Sequence, residues 1–174
     1  IRLRAAGRSN PNDASFSLVA ADAPIAGDYQ PVPNERFMSV AIHNLAHDQV
    51  GEMCDLFATV YSHPIDVAQW NWKYLEGPRI GSVNLVARTE QGECIGHIGA
   101  SVFPGVGQKR AYAMAQICDV MVRRDVRGGV GDHSVYPLLV RALQKELLAN
   151  FSNVFAYGFP GDRPFRLGER LGFY

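Results

Sequence analysis

Residues 116–139 read QICDVMVRRDVRGGVGDHSVYPLL, and the reading of this stretch decides the fold. An apolar run, Ile117–Val122, meets a basic, glycine-rich turn at Arg123–Gly131. After the turn, Val135, Leu138, Leu139, Ala142, Leu143 and Leu147 recur at helical spacing. The pattern predicts a strand, a turn of backbone amides and a helix. The first N–H groups of a helix have no intrahelical partner and carry partial positive charge, so they favour a phosphate group. The implied ligand class is an anionic, nucleotide-like cofactor. A glycine turn alone is equally an ordinary strand-to-helix connection, so the neighbouring segments have to carry the argument.

Before this stretch, Ser82–Thr89, Glu93–Phe103 and Arg110–Val122 alternate as strands, with turns expected at Gln91-Gly92 and at 104–107. They predict an antiparallel meander. Further upstream, Arg36–Asn44 reads as a first strand. Val50, Met53, Cys54, Phe57, Ala58 and Tyr61 read as one face of a helix with Asp48 as N-cap. Ile65–Leu75 follows as a second helix carrying Trp70, Trp72 and Tyr74, and Gly77-Pro78 ends it. Downstream, Asn153–Gly158 is a short buried strand. Asp162 is expected to cap a last helix with Pro164 in its first turn and Gly172 at its end. The order is β-α-α-β-β-β-α-β-α, an α/β chain with an α+β mixed sheet. Its last crossover, β-α-β, is expected to be parallel and right-handed.

Residues 1–34 are rich in Ala, Pro, Asn, Asp and Ser and read as an irregular tail or linker, with Phe16–Ala20 a candidate ordered piece. Residues 35–174 read as the folded domain, and a sheet ending on the last helix leaves a strand edge that further chain, another chain or the N-terminal tail is expected to cover.

The chain of 174 residues fits one domain. Its 17 basic and 17 acidic residues cancel, which argues against a nucleic acid or an anionic membrane surface as partner. No apolar run approaches the roughly 20 residues that span a bilayer. Cys54, Cys94 and Cys118 are odd in number and lack metal-pair spacing, and Cys54 and Cys118 are expected as buried thiols in a reducing cytosol. The five histidines are scattered, so no metal site is expected.

Three segments together resemble the GNAT superfamily of acyl-CoA N-acyltransferases: QICDVMVRRDVRG, GFPGDRPFRLGERLGFY and WNWKYLEGP. The resemblance covers residues 36–174 and lacks the final hairpin that such domains usually carry. It implies a sheet whose fourth and fifth strands splay apart around the pantetheine arm of acetyl-CoA or another acyl-CoA. The arm would pair with Val120, Met121 and Val122. The amides of Arg127, Gly128, Gly129, Val130 and Gly131 would hold the pyrophosphate, and Arg127 with Arg123 would add charge. Phe159 and Pro160, of the Gly158-Phe159-Pro160 turn, would border the cofactor. The chain departs from the family in two places. Its glycines follow Arg127 one position early, and Gly168 stands where many members carry a tyrosine that protonates the leaving thiolate.

Acyl transfer to an amine needs a neutral amine, an oxyanion donor and a proton for sulfur. Asp119 is the acid within the apolar strand, where a carboxylate costs stability unless paired or useful. Its two readings are catalytic base and structural ligand. Gln116 could orient a substrate or water. For the acid that protonates the thiolate, Tyr157, Tyr136 and Tyr112 are the candidates, each also readable as a packing residue, and Tyr157 is the one taken as catalytic. Trp70 and Tyr74 are expected to pack inward, and His97 to be structural. Two functions follow as expectations. One is direct transfer of an acetyl or other acyl group to a primary amine of a small molecule. The other is an inactive GNAT-like module that binds acyl-CoA or a protein partner in a regulatory or assembly role. For the first, Asp119→Asn is expected to slow turnover with little change in melting temperature.

Overall fold

The computed structural model describes residues 39–107, 109–127 and 134–173. In chain order these form β1 (Val40–Asn44), α1 (Val50–Tyr61), α2 (Val67–Tyr74), β2 (Gly81–Thr89), β3 (Cys94–Gly107), β4 (Arg110–Val122), α3 (Val135–Asn150), β5 (Val154–Tyr157) and α4 (Asp162–Arg170). The tail 1–34, and with it Phe16–Ala20, lies outside the described residues, as do Gly128, Gly129, Val130 and Gly131.

The strands make one sheet in the order β1-β2-β3-β4-β5. β1 to β4 run antiparallel to their neighbours, and β5 lies parallel to β4. The meander follows from its turns: Gly92, at φ 84°, supplies the left-handed residue that closes β2 onto β3. A crossover through α3 is what a parallel β4–β5 pair requires.

Several expected boundaries move, each for a local reason. The second helix begins at Val67 because Asp66 caps it: its Oδ1 accepts the Gln69 N–H at 2.7 Å and Gln69 Oε1 accepts the Asp66 N–H at 3.0 Å. Asp48 does not cap α1. It sits in a 3₁₀ turn, His47–Gln49, and Gln49 takes the cap position. Gly161, not Asp162, is the N-cap of α4, since its carbonyl accepts the Phe165 N–H. Asp162 is instead the first helical residue, where its charge suits the helix dipole.

Residues 104–107 were expected as a turn and are strand: β3 and β4 pair from Gly96↔Val122 out to Gly107↔Arg110. Pro104 is tolerated there because β2 pairing ends at Gly81↔Val102, and β3 is an edge strand beyond it.

The sheet separates two cores. On one face α3 lays Val135, Leu139, Leu143 and Leu147 over Leu85, Ile98, Ala100 and Ala115. On the other, α1 and α2 bury Met53, Leu56, Phe57, Trp70 and Tyr74 against Val86 and Met121. Trp70 and Tyr74 pack inward as expected, each 1% exposed. Cys54 and Cys118 are only half-buried. Glu52 of α1 is pinned to β2 by an ion pair with Arg88, whose Nη1 donates to Glu52 Oε1 at 2.9 Å.

Candidate functional site

The site is organised by an irregularity in β4. His97 pairs with Met121 and Gly99 with Cys118, so Ile98 faces two residues, Asp119 and Val120. This is a β-bulge, with Asp119 at φ 47° in the left-handed region. Aspartate is one of the few residue types that visit this region, because its short side chain can bond locally. The extra residue breaks the two-residue alternation of side chains. Ile117, Val120 and Val122 pack on the α3 face, while Cys118 and Met121 pack against α1 and α2. Asp119 thereby joins Cys118 on the α1–α2 side.

There the carboxylate is held from both sides. Tyr74 donates its hydroxyl to Asp119 Oδ2 at 2.7 Å, and Lys73 Nζ donates to Oδ1 at 2.7 Å. Burial first, then the charge of Asp119, pushes the Tyr74 hydroxyl well above its usual range, so it keeps its proton. The Asp119 carbonyl is taken by the His97 ring, whose Nδ1 lies 2.9 Å away, while Nε2 lies 3.3 Å from Asn84 Oδ1. His97 is fully buried, and burial lowers its pKa to about 4, so the ring is neutral at pH 7. Gly99 makes room for this arrangement. A Cβ there would come within 2.5 Å of the Tyr74 hydroxyl and 2.8 Å of its ring.

β4 parts from β5 before the bulge is reached. Their pairing runs from Ala113↔Val154 to Gln116↔Tyr157 and stops, while β4 continues to Val122. Side chains reach two carbonyls of this continuing stretch. Tyr61 donates to the Val120 carbonyl at 3.3 Å, and Arg127 Nε donates to the Val122 carbonyl at 2.6 Å. On the α3 side a small apolar cavity of about 40 Å³ lies between Ile117, Val120, Ala156, Tyr136 and Phe173. On the other side an open groove of about 300 Å³ runs between α1 and α2, walled by Phe57, His63, Gln69, Trp72 and Lys73. Lys73 therefore joins the groove to Asp119.

The remaining candidates fall at varying distances from this centre. Gln116 and Tyr157 form the last β4–β5 pair, at the crotch of the splay. The Tyr157 ring stacks on Phe155 and meets Phe159 edge-on. Phe159 is 86% exposed, and Pro160 is exposed beside it. The Met121 side chain is fully buried, so only its backbone can face the splay, whereas Val120 and Val122 are half-buried at it. Arg123 is ion-paired with Asp125, Nε to Oδ1 at 2.8 Å. Tyr136 packs on Phe173, and Tyr112 sits on the outer β3–β4 hairpin opposite Gly105. Gly168 is the buried residue of α4.

The residues that sequence reading passed over are Lys73, Tyr61, Gly99 and the hydroxyl of Tyr74. Their one sequence-level signal is the adjacency of Lys73 and Tyr74 to the tryptophans on a short helix, which marks a packing face and names no partner for them.

No protein-family model matches this chain, and no curated protein matches it. Solved structures do. An acetyltransferase of Trypanosoma brucei superposes with a TM-score of 0.58 at 16% identity, over 78% of this chain and 93% of that one. An aminoglycoside acetyltransferase from an uncultured soil metagenomic sample gives 0.59 at 21% identity, over 79% and 93%. Glucosamine-6-phosphate N-acetyltransferase of Arabidopsis thaliana gives 0.57 at 12% identity, over 77% and 90%. The protein has the fold of the GNAT superfamily, a mixed five-stranded sheet flanked by helices. At these identities the likeness establishes the fold, and the chemistry has to be argued from the site.

Proposed function

We propose that this protein is an N-acyltransferase that moves an acetyl or other acyl group from acyl-CoA to a primary amine of a small molecule by direct transfer. One observation carries the reading: β4 continues from Ile117 to Val122 past its last pair with β5, with a bulge at Asp119 in the middle. An extended amide-bearing arm can pair with such a strand edge. The carbonyls of Val120 and Val122, held by side chains rather than by a strand, suit this role. The holding residues would be Val120, Met121 and Val122 through their backbone, Arg127, the glycine-rich segment Gly128–Gly131, and Phe159 and Pro160 at the rim. When bound, acetyl-CoA supplies the activated acyl group. The amine enters from the groove between α1 and α2. Asp119, joined to that groove through Lys73, draws the proton from the amine, while Gln116 and Tyr157 form the last β4–β5 pair beside it. The three free cysteines fit a reducing cytoplasm.

A second reading, an inactive module that binds acyl-CoA or a protein partner, draws support from the two bonds that already occupy the Asp119 carboxylate and from Gly168 in α4. Isothermal titration with acetyl-CoA and CoA, followed by turnover on a panel of amines, separates the two. Micromolar binding, about −8 kcal/mol, with turnover supports the enzyme. Binding with no turnover on any amine supports the module. Absence of binding by the folded protein removes the enzyme reading.

A further inference from the structure

Tyr61 closes α1, and its side chain stands between the two halves of the site. Its ring packs on Phe57 at 4.7 Å and lies parallel to His63 at 6.3 Å, and both of those residues wall the groove. Its hydroxyl reaches in the opposite direction, to the Val120 carbonyl just past the bulge. The side chain is 42% exposed, so a ligand can reach it. We infer that Tyr61 gives the proton to the sulfur that leaves during acyl transfer, the task for which α4 offers only Gly168. The inference rests on the acyltransferase reading above.

The amine nitrogen bonds to the thioester carbonyl carbon, and the carbon–sulfur bond breaks with its electron pair on sulfur. The thiolate takes the Tyr61 proton and leaves as a free thiol. Asp119 takes the proton that the nitrogen loses on becoming an amide and passes it, through water, to the phenolate, so both groups return to their starting state. An N–H that pairs with the Val120 carbonyl also replaces the bond Tyr61 makes now, which frees the hydroxyl to donate to sulfur. Tyr61 holds its proton at neutral pH: burial raises its pKa, Asp119 and Cys118 add to the rise, and Arg127 opposes it.

The test is Tyr61→Phe, which keeps the ring packing on Phe57 and removes only the hydroxyl. Turnover at saturating acetyl-CoA and amine should fall at least tenfold, with both KM values within about threefold of the parent. A binding readout accompanies it. The thiol of bound CoA, titrated by the ultraviolet absorbance of its thiolate, should ionise at lower pH in the parent than in the variant, because a donated hydrogen bond favours the charged form. A variant with unchanged turnover and an unchanged thiol titration overturns the role of Tyr61 and leaves the acyltransferase reading standing. A parent protein that neither binds CoA nor turns over defeats both.

Discussion

At the scale of single residues, the site is a set of polar groups whose partners are supplied by distant parts of the chain. His97 ties stability to pH. Its folded pKa of about 4 lies below the ordinary value of 6.5, so the unfolded chain binds the extra proton between these values. Stability is therefore fully present above about pH 6.5 and is lost as pH falls towards 4, by up to about 3 kcal/mol. Urea unfolding across this window should show that loss, and His97→Gln should flatten it; an equal slope in the variant would assign the effect to other groups. Asp119 now has a second duty beside the proposed proton transfer. Asp119→Asn weakens the bonds from Lys73 and Tyr74. We expect turnover to fall at least tenfold and stability to drop by about 1–2 kcal/mol, the Lys73 share discounted for its exposure. The sequence alone suggested no stability cost. The carboxylate clamp is the reason to expect one, and thermal unfolding of the variant decides between the two.

At the scale of elements, α2 is the piece that turns a sheet into a site. It lies flat on β3 because Gly99 has no side chain, and this brings Tyr74 and Lys73 to the bulge of β4. Gly99→Ala places a methyl group against the Tyr74 ring in a filled core, so we expect a loss of about 1–3 kcal/mol from overpacking. Activity should fall further than in a control such as Gly51→Ala, where an added Cβ meets nothing within 4 Å. Equal activity in Gly99→Ala would mean that the Tyr74–Asp119 contact does not matter for function. The order of elements was readable from periodicity and from glycine and proline punctuation. Their ends were not, because capping is settled by side-chain bonds such as Asp66 with Gln69. The bulge was also hidden. Ile117–Val122 is covered on both faces, so its apolar run has no alternation whose break could be seen. The lone acid in that run did mark the spot. Its partners Lys73 and Tyr74 lie far away in sequence, and only the packing of α2 across the sheet joins them.

At the scale of the whole molecule, the two cores are unequally tied to the splay. The β1–β4 meander is held by α3 on one face and by α1 and α2 on the other. β5 has only four paired positions on β4, and α4 follows it with Gly168 as its one buried residue. A ligand that enters between β4 and β5 therefore joins a strongly held part of the protein to a weakly held one. Acetyl-CoA at about 100 times its Kd should stabilise the folded state by about 2.7 kcal/mol, provided the unfolded chain does not bind it. The local consequence is more discriminating. Central amides such as those of Val86 and Ile98 exchange through the larger openings and should slow in step with the global gain. We expect the amides of Ile117–Val122 that point away from β3, and those of the short strand Val154–Tyr157, to exchange through smaller openings, and new backbone pairing along the splay should slow them as well. Hydrogen exchange with and without acetyl-CoA reads both sets in one experiment. Uniform slowing that leaves the splay no more protected than its surroundings would place the ligand elsewhere on the fold, whereas protection concentrated on β4 past Gln116 and on β5 is the pattern that pairing with the β4 edge requires.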